Sequence, residues 1–199
     1  MKKILLLILC LLLPISLFSC EEDDAKAPEV TFTNYVQFTM ADGATFVVEL
    51  YPEYAPKTVE NFQALVTDGF YDGLTFHRIY KNFMIQGGAN AEAELEPITG
   101  EFAANGFPQN TLKHERGVIS MARSGKPNSA TSQFFIMHAD NAGLDGNYAA
   151  FGRVIEGMDT IDALANAPVT YNWSMMGELS APLDPPVIQS AVFIDYTAQ

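Results

Sequence analysis

The amino-acid sequence predicts a mainly β domain, a sandwich or barrel of about eight strands with two helices, on three observations. Short runs rich in Val, Ile, Phe, Tyr and Thr recur from Tyr35 onward, bounded by Gly, Pro, Asn and Asp. An Asp42-Gly43 pair separates two of these runs, a strong hairpin signal. Only two stretches carry apolar residues at helical spacing. Periodicity does not choose between a sandwich and a barrel.

In order, YVQFTM and TFVVELY are the first two strands, joined by Ala41-Asp42-Gly43-Ala44. Tyr51-Pro52-Glu53-Tyr54-Ala55-Pro56 breaks the second. Pro56 suits the first turn of a helix, where its missing N–H would have had no partner. KTVENFQALVTDG then sets Val59, Phe62, Leu65 and Val66 on one face, with Gly69 as a stop. LTFHRIY, FMIQGG, GVISMA, SQFFIM and YAAFGRV follow as strand-like pieces. Gly157 opens a second helical stretch with Met158, Ile161 and Leu164 on one stripe, and VIQSAVFID closes the chain as a strand. Residues 89–115 and 166–186, rich in Gly, Pro, Asn and Ala, read as loops. The second carries Trp173 and Met175-Met176, either a partner-specific surface or a loop packed on its own domain. Residues 35–199 make one domain without internal repeats.

The first 34 residues are read apart from the fold. Lys2 and Lys3 precede an apolar run, Ile4 to Phe18, of 15 residues containing Pro14. A spanning helix needs roughly 20 residues, so the pattern is that of a secretory signal. Leu17-Phe18-Ser19-Cys20, followed by Glu21-Glu22-Asp23-Asp24, resembles a bacterial lipoprotein signal. The resemblance implies cleavage before Cys20 and a lipid on its thiol; the bland alternative is an ordinary signal cut near Ser19. The expected organisation is a signal peptide over 1–19, lipidated Cys20 with a flexible acidic tether over 20–34, and the folded domain over 35–199. It implies an exported protein, lipid-anchored to a bacterial membrane on its periplasmic or cell-surface face.

Cysteine use and charge narrow the chemistry. Cys10 and Cys20 are the only cysteines, so residues 21–199 offer no disulfide, thiolate nucleophile or zinc–cysteine site. Net charge is −13, and removal of Lys2 and Lys3 with residues 1–19 makes it −15. Such a surface disfavours nucleic acid as a partner, and disfavours anionic lipid unless acyl chains supply the attachment. His77, His114 and His138 show no i, i+3 or i, i+4 pairing, so metal-ligand spacing is absent. Composition leaves Ser-His-Asp catalysis open, but there is no G-x-S-x-G elbow.

The stretch TFHRIYKNFMIQGG, residues 75–88, places one arginine and one glutamine among apolar side chains. A half-buried cation is costly unless something meets it. Either Arg78 has a structural partner or the site awaits a ligand that supplies one. Phe134 and Phe135 must face opposite sides of a strand, one toward a core. Met84 alone reads as core filler, and Gly87-Gly88 as a turn.

FHRIYKNFMIQGG is similar to the signature of the cyclophilin-type peptidyl-prolyl isomerases. GVISMARSGKPNSATSQFFIMHADNAGLDGNYAAFGRV, from Gly117 to Val154, resembles the second half of that family, in order and with compatible spacing. The resemblance spans Tyr35 to Asp195 and implies a closed eight-stranded antiparallel β-barrel capped by two α-helices. It carries over Arg78 as the catalytic arginine, with Phe83 and Gln86 beside it. It implies substrate contacts from Met84, Ala122, Arg123, Gln133, Phe135, Leu144 and Tyr148, and no cofactor or metal. Three positions depart from the family's common pattern. Arg123 stands where Asn is frequent, Tyr148 where a histidine is frequent, and Gly143 where a tryptophan is frequent. The missing tryptophan implies weak cyclosporin binding and a pocket wall open on one side.

The implied activity is rotation of X-Pro peptide bonds, assisting the folding of exported proteins. Its partners would be proline-containing peptides and unfolded exported chains, acted on by a monomer. Two other readings use the same barrel: a low-turnover chaperone that only binds proline peptides, and a surface interaction module.

Overall fold

The structure, a computed structural model, describes residues 33–197. The signal peptide, Cys20 and nearly all of the proposed tether lie outside the described residues.

Eight strands form one antiparallel sheet: β1 (Tyr35–Met40), β2 (Thr45–Leu50), β3 (Phe76–Tyr80), β4 (Met84–Gly87), β5 (Val118–Met121), β6 (Phe134–Met137), β7 (Ala150–Glu156) and β10 (Ile188–Phe193). Their spatial order is β10-β1-β2-β7-β5-β6-β4-β3. Register shifts interrupt four ladders, at Thr39/Met40, Val47/Val48, Phe76/Arg78 and Ile119/Ser120. Bulges of this kind add local twist, and the sheet curls strongly around an aromatic core.

The curl does not close. The end strands β3 and β10 share no ladder; a single bridge joins Thr75 to Val187 beside them. The expected closed barrel is therefore corrected to a curled half-barrel. Pro185 and Pro186, just before β10, give the physical reason: neither has an N–H to donate to a ladder. Pro186 contributes only its carbonyl, which accepts from Phe76 N at 3.0 Å.

Inside the curl, Phe38 stacks on Phe46 at 4.7 Å, and Phe62 meets Phe151 at 5.0 Å and Phe134 at 5.8 Å. Phe62 comes from α1 (Pro56–Thr67), which buries Val59, Phe62, Leu65 and Val66 as its spacing predicts. Ala55 offers no side-chain cap to this helix. The buried Glu101 carboxylate replaces it, accepting from the N–H groups of Lys57 and Thr58 at 3.1 and 2.8 Å and from Thr58 Oγ1 at 2.8 Å. The second helix, α2 (Met158–Ala165), buries Ile161 and Leu164.

Two local readings need revision. Residues 166–186 are not all loop: β8 (Val169–Asn172) and β9 (Glu178–Pro182) form a two-stranded ribbon, and β9 packs beside β3. Gly87-Gly88 is more than a turn. Gly87 pairs within β4, and Gly88 has φ of 78°, with a Cβ there falling 2.9 Å from Ser132 O and 3.0 Å from Tyr71 Cε1. Both the left-handed backbone and the close approach require glycine.

Candidate active site

Strand register assembles the site. Arg78 pairs with Gln86 across β3–β4, Gln86 with Phe135 across β4–β6, Phe135 with Ser120 across β6–β5, and Ser120 with Ala150 across β5–β7. These residues form one row on the outer face of the curl. The bulge at Phe76/Arg78 lets Phe76 enter the core while Arg78 joins this row. Alternation along β6 does the same for its two phenylalanines. Phe134 belongs to the inner core, and Phe135 joins Met84, Val118, Met137 and Ala150 in a second apolar cluster on the other face.

Above this cluster lies a cavity of about 380 Å³. All ten residues expected at the site line it: Arg78, Phe83, Met84, Gln86, Ala122, Arg123, Gln133, Phe135, Leu144 and Tyr148. The floor is apolar, with Phe135 and Tyr148 edge-to-face at 5.7 Å and 87°. Four further residues line the cavity that sequence reasoning did not single out for it: His77, Asn172, Ser174 and Met175. The last three come from the β8–β9 ribbon. The β-rich run Val169-Thr170-Tyr171, followed by Gly177, was the signal for that ribbon.

The polar wall is a hydrogen-bonded relay. Arg78 Nη1 donates to Gln86 Oε1 at 3.2 Å, and Gln86 Nε2 donates to Gln133 Oε1 at 3.0 Å. Its direction is dictated by chemistry. A guanidinium only donates, so Gln86 must turn its oxygen to Arg78 and its NH₂ to Gln133. The opposite edge of the guanidinium meets Glu178 on β9. Nε and Nη2 each donate to a separate carboxylate oxygen at 2.8 Å, with the two side chains 17% and 21% exposed. Arg78 therefore has a structural partner and also faces a cavity. The guanidinium holds the Glu178 carboxyl below the usual range, opposed by burial and aided by Ser180.

Behind the floor lies a second relay. His114 Nδ1 lies 3.1 Å from Asp145 Oδ1, and its Nε2 lies 3.1 Å from Ser120 Oγ. The imidazole stacks on Phe135 at 6.0 Å and 17°. This is the order of a Ser-His-Asp array, but Ser120 is fully buried inside β5, so no substrate reaches its hydroxyl. The array braces the floor. Burial pushes the His114 ring down in pKa, against the pull of Asp145. Burial would raise the Asp145 carboxyl, but hydrogen bonds from the His114 backbone and ring and from Lys113 outweigh it and hold it low.

Arg123 lies on the exposed rim. It donates from Nε and Nη2 to Asn147 O at 3.1 and 2.8 Å and from Nη1 to Ser124 O at 3.0 Å. Its guanidinium carbon sits 4.6 Å from the Tyr148 ring centroid and 5.0 Å from that of Phe102.

The site thus sets an apolar seat beside a positioned guanidinium and a row of amide groups, and comparison with known proteins gives the chain a family. The family model of the cyclophilin type peptidyl-prolyl cis-trans isomerases matches residues 35–192. A peptidyl-prolyl cis-trans isomerase of Acinetobacter baylyi is 46% identical over 133 residues, 62% of this chain and 68% of that protein. One of Streptomyces antibioticus is 43% identical over 158 residues, 73% of this chain and 90% of that protein. Among solved structures, a Cryptosporidium parvum cyclophilin type isomerase, crystallised in the presence of the dipeptide Ala-Pro, superposes with a TM-score of 0.68. It shares 30% identity and covers 81% of this chain and 99% of that chain. The chain belongs to the cyclophilin-type peptidyl-prolyl cis-trans isomerases and is an enzyme of that activity.

Proposed function

We propose that the groove holds a proline of an exported client chain, with the proline ring on Phe83, Met84, Phe135, Leu144 and Tyr148 and its amide beside Arg78. An X-Pro bond turns slowly because amide resonance sets a barrier of roughly 18–20 kcal/mol. Twisting the bond localises a lone pair on the prolyl nitrogen. A donor aimed there binds the twisted form better than either planar form, and that difference lowers the barrier. Arg78 is such a donor: always charged, and held on both edges by Gln86 and Glu178. Gln86 and Gln133 stand along the same wall, where their amides hold the peptide backbone while the acyl side turns. Ala122 and Arg123 border the path of the flanking residues. The observation that carries this reading is the fixed guanidinium at the edge of an apolar cavity. The same observation favours turnover over the binding-only and interaction-module alternatives.

Every group this mechanism uses comes from one chain, which supports action as a monomer. Cys20, the only cysteine after the apolar run, supports a lipid anchor at a bacterial membrane and clients among exported polypeptides. A radiolabelled fatty acid should be incorporated into the parent and not into Cys20→Ala; equal labelling of the two would remove the lipid from Cys20.

Exchange of an Ala-Pro peptide, followed by NMR, tests the role of Arg78. Arg78→Ala should slow the catalysed exchange by about 10²–10³, the loss of one preorganised donor. Retained activity in a folded variant would remove Arg78 from the mechanism.

A further inference from the structure

We infer that Glu178 is a positioning residue for Arg78, so that the β8–β9 ribbon, outside the eight-stranded sheet, sets the aim of the catalytic guanidinium. The inference rests on the reading of Arg78 as the catalytic donor.

The geometry is specific. A guanidinium has two usable edges, and the Glu178 carboxylate takes the Nε/Nη2 edge with two contacts of equal length, 2.8 Å. That fork-to-fork match fixes the plane of the group as well as its position. The Nη1 end is left toward Gln86 and the cavity. Without Glu178, the remaining side-chain contact is one hydrogen bond of 3.2 Å to Gln86. One contact does not hold a long side chain whose rotamer freedom is among the largest of any residue. Misplacing a reacting group by an ångström is enough to cost a large factor in rate.

The pair is also placed where a mere surface ion pair would not be. Both side chains are about four-fifths buried, at a cavity that the same ribbon lines with Asn172, Ser174 and Met175. Glu178 is the first residue of β9, which packs beside β3, so a continuous backbone element carries the carboxylate to the guanidinium. A carboxylate also offsets part of the positive charge that the twisted amide would feel. The arrangement therefore trades charge for aim, and the sign of the effect of removing Glu178 is the test.

The full chain, purified in detergent, would be compared with Glu178→Gln, Glu178→Asp, Arg78→Ala and the Arg78→Ala/Glu178→Gln double variant, with thermal melts as the fold check. Glu178→Gln should lower kcat for the Ala-Pro peptide at least tenfold while KM stays within twofold. Glu178→Asp, which keeps the charge but draws it back by one methylene, should fall between. In the Arg78→Ala background, Glu178→Gln should change nothing further. The NMR resonance of Arg78 Nε–H, sharp in the parent, should broaden in Glu178→Gln. A Glu178→Gln rate equal to or above the parent overturns the inference, as does an equal loss with and without Arg78. If Arg78→Ala itself keeps full activity, the reading of Arg78 falls; if it is inactive and Glu178→Gln is normal, only the role of Glu178 falls.

Discussion

Arg78 and Phe135 occupy one row of the sheet, separated only by Gln86 on β4, yet they are held by different means. Arg78 stands in a wall of polar contacts, to Glu178 and Gln86. Phe135 is 5% exposed and packs with Met84, Val118, Met137 and Ala150, with His114 stacked on its face. On the proposed mechanism the wall serves to aim Arg78. The floor is part of the fold, so the proposed proline seat and a second core are the same residues. The difference teaches where activity and stability can be varied independently.

The largest effect that could break this comparison comes from the floor. Phe135→Ala should lose about 3–5 kcal/mol of stability, since the removed ring leaves a cavity under Tyr148 that the sheet cannot refill. It should also lose proline binding. Arg78→Ala, by contrast, should cost less, about 1–3 kcal/mol, the penalty for leaving the largely buried Glu178 carboxylate without its two donors. Denaturant melts of the two variants decide the matter. A Phe135→Ala protein as stable as the parent, or an Arg78→Ala protein that unfolds, would show the division to be false.

The same contrast explains what was legible in the sequence. The two-residue period of SQFFIM shows that Phe134 and Phe135 part company, and family resemblance assigns Phe135 to the pocket side, where the structure places it. The apolar stripe of α1 is a local pattern, and its buried face follows. Glu178 was invisible by such reasoning. Its partner is 100 residues away, and nothing in Met176-Gly177-Glu178-Leu179 marks one of 24 acids as the one that reaches Arg78. The half-barrel was missed for a different reason. Closure depends on whether two sheet edges meet, and Pro185-Pro186 bears on that only once β3 is known to lie opposite.

A second, smaller effect concerns pH. His114 and His77 are both pushed below the ordinary histidine pKa, chiefly by burial; Asp145 opposes this at His114, and the Thr75 backbone opposes it at His77. An unfolded histidine takes up its proton near about 6.5, before either folded ring does. Above that pH neither state is protonated and the neutral rings keep their full contribution. As pH falls below it, the unfolded state binds protons first, and stability falls by up to about 1.4 kcal/mol per pH unit for each ring. The loss is complete once pH has passed the folded pKa values. Urea melts between neutral and mildly acidic pH should show this slope. His114→Gln, a fold-preserving amide that does not titrate, should remove part of it, and an unchanged slope would show that the floor's histidine is not kept neutral.

The smallest effect belongs to the rim, where wall and floor meet. Arg123 covers the Tyr148 ring from solvent and ties the Asn147 carbonyl with two donors. It thus steadies one floor residue from outside, without the burial that holds Phe135. An exposed cation–π contact contributes about 0.5–1 kcal/mol, which corresponds to about two- to fivefold in an equilibrium constant. Arg123→Ala should therefore raise KM for a proline peptide by about that factor and leave kcat unchanged, because the guanidinium of Arg78 is untouched. Arg123→Lys should not restore the parent value, since an ammonium cannot span the Asn147 and Ser124 carbonyls in one plane. Peptide titrations followed by NMR would read the change. A fall in kcat instead would mean that Arg123 acts on the rotating bond, and the polar wall would then extend across the groove to its far rim.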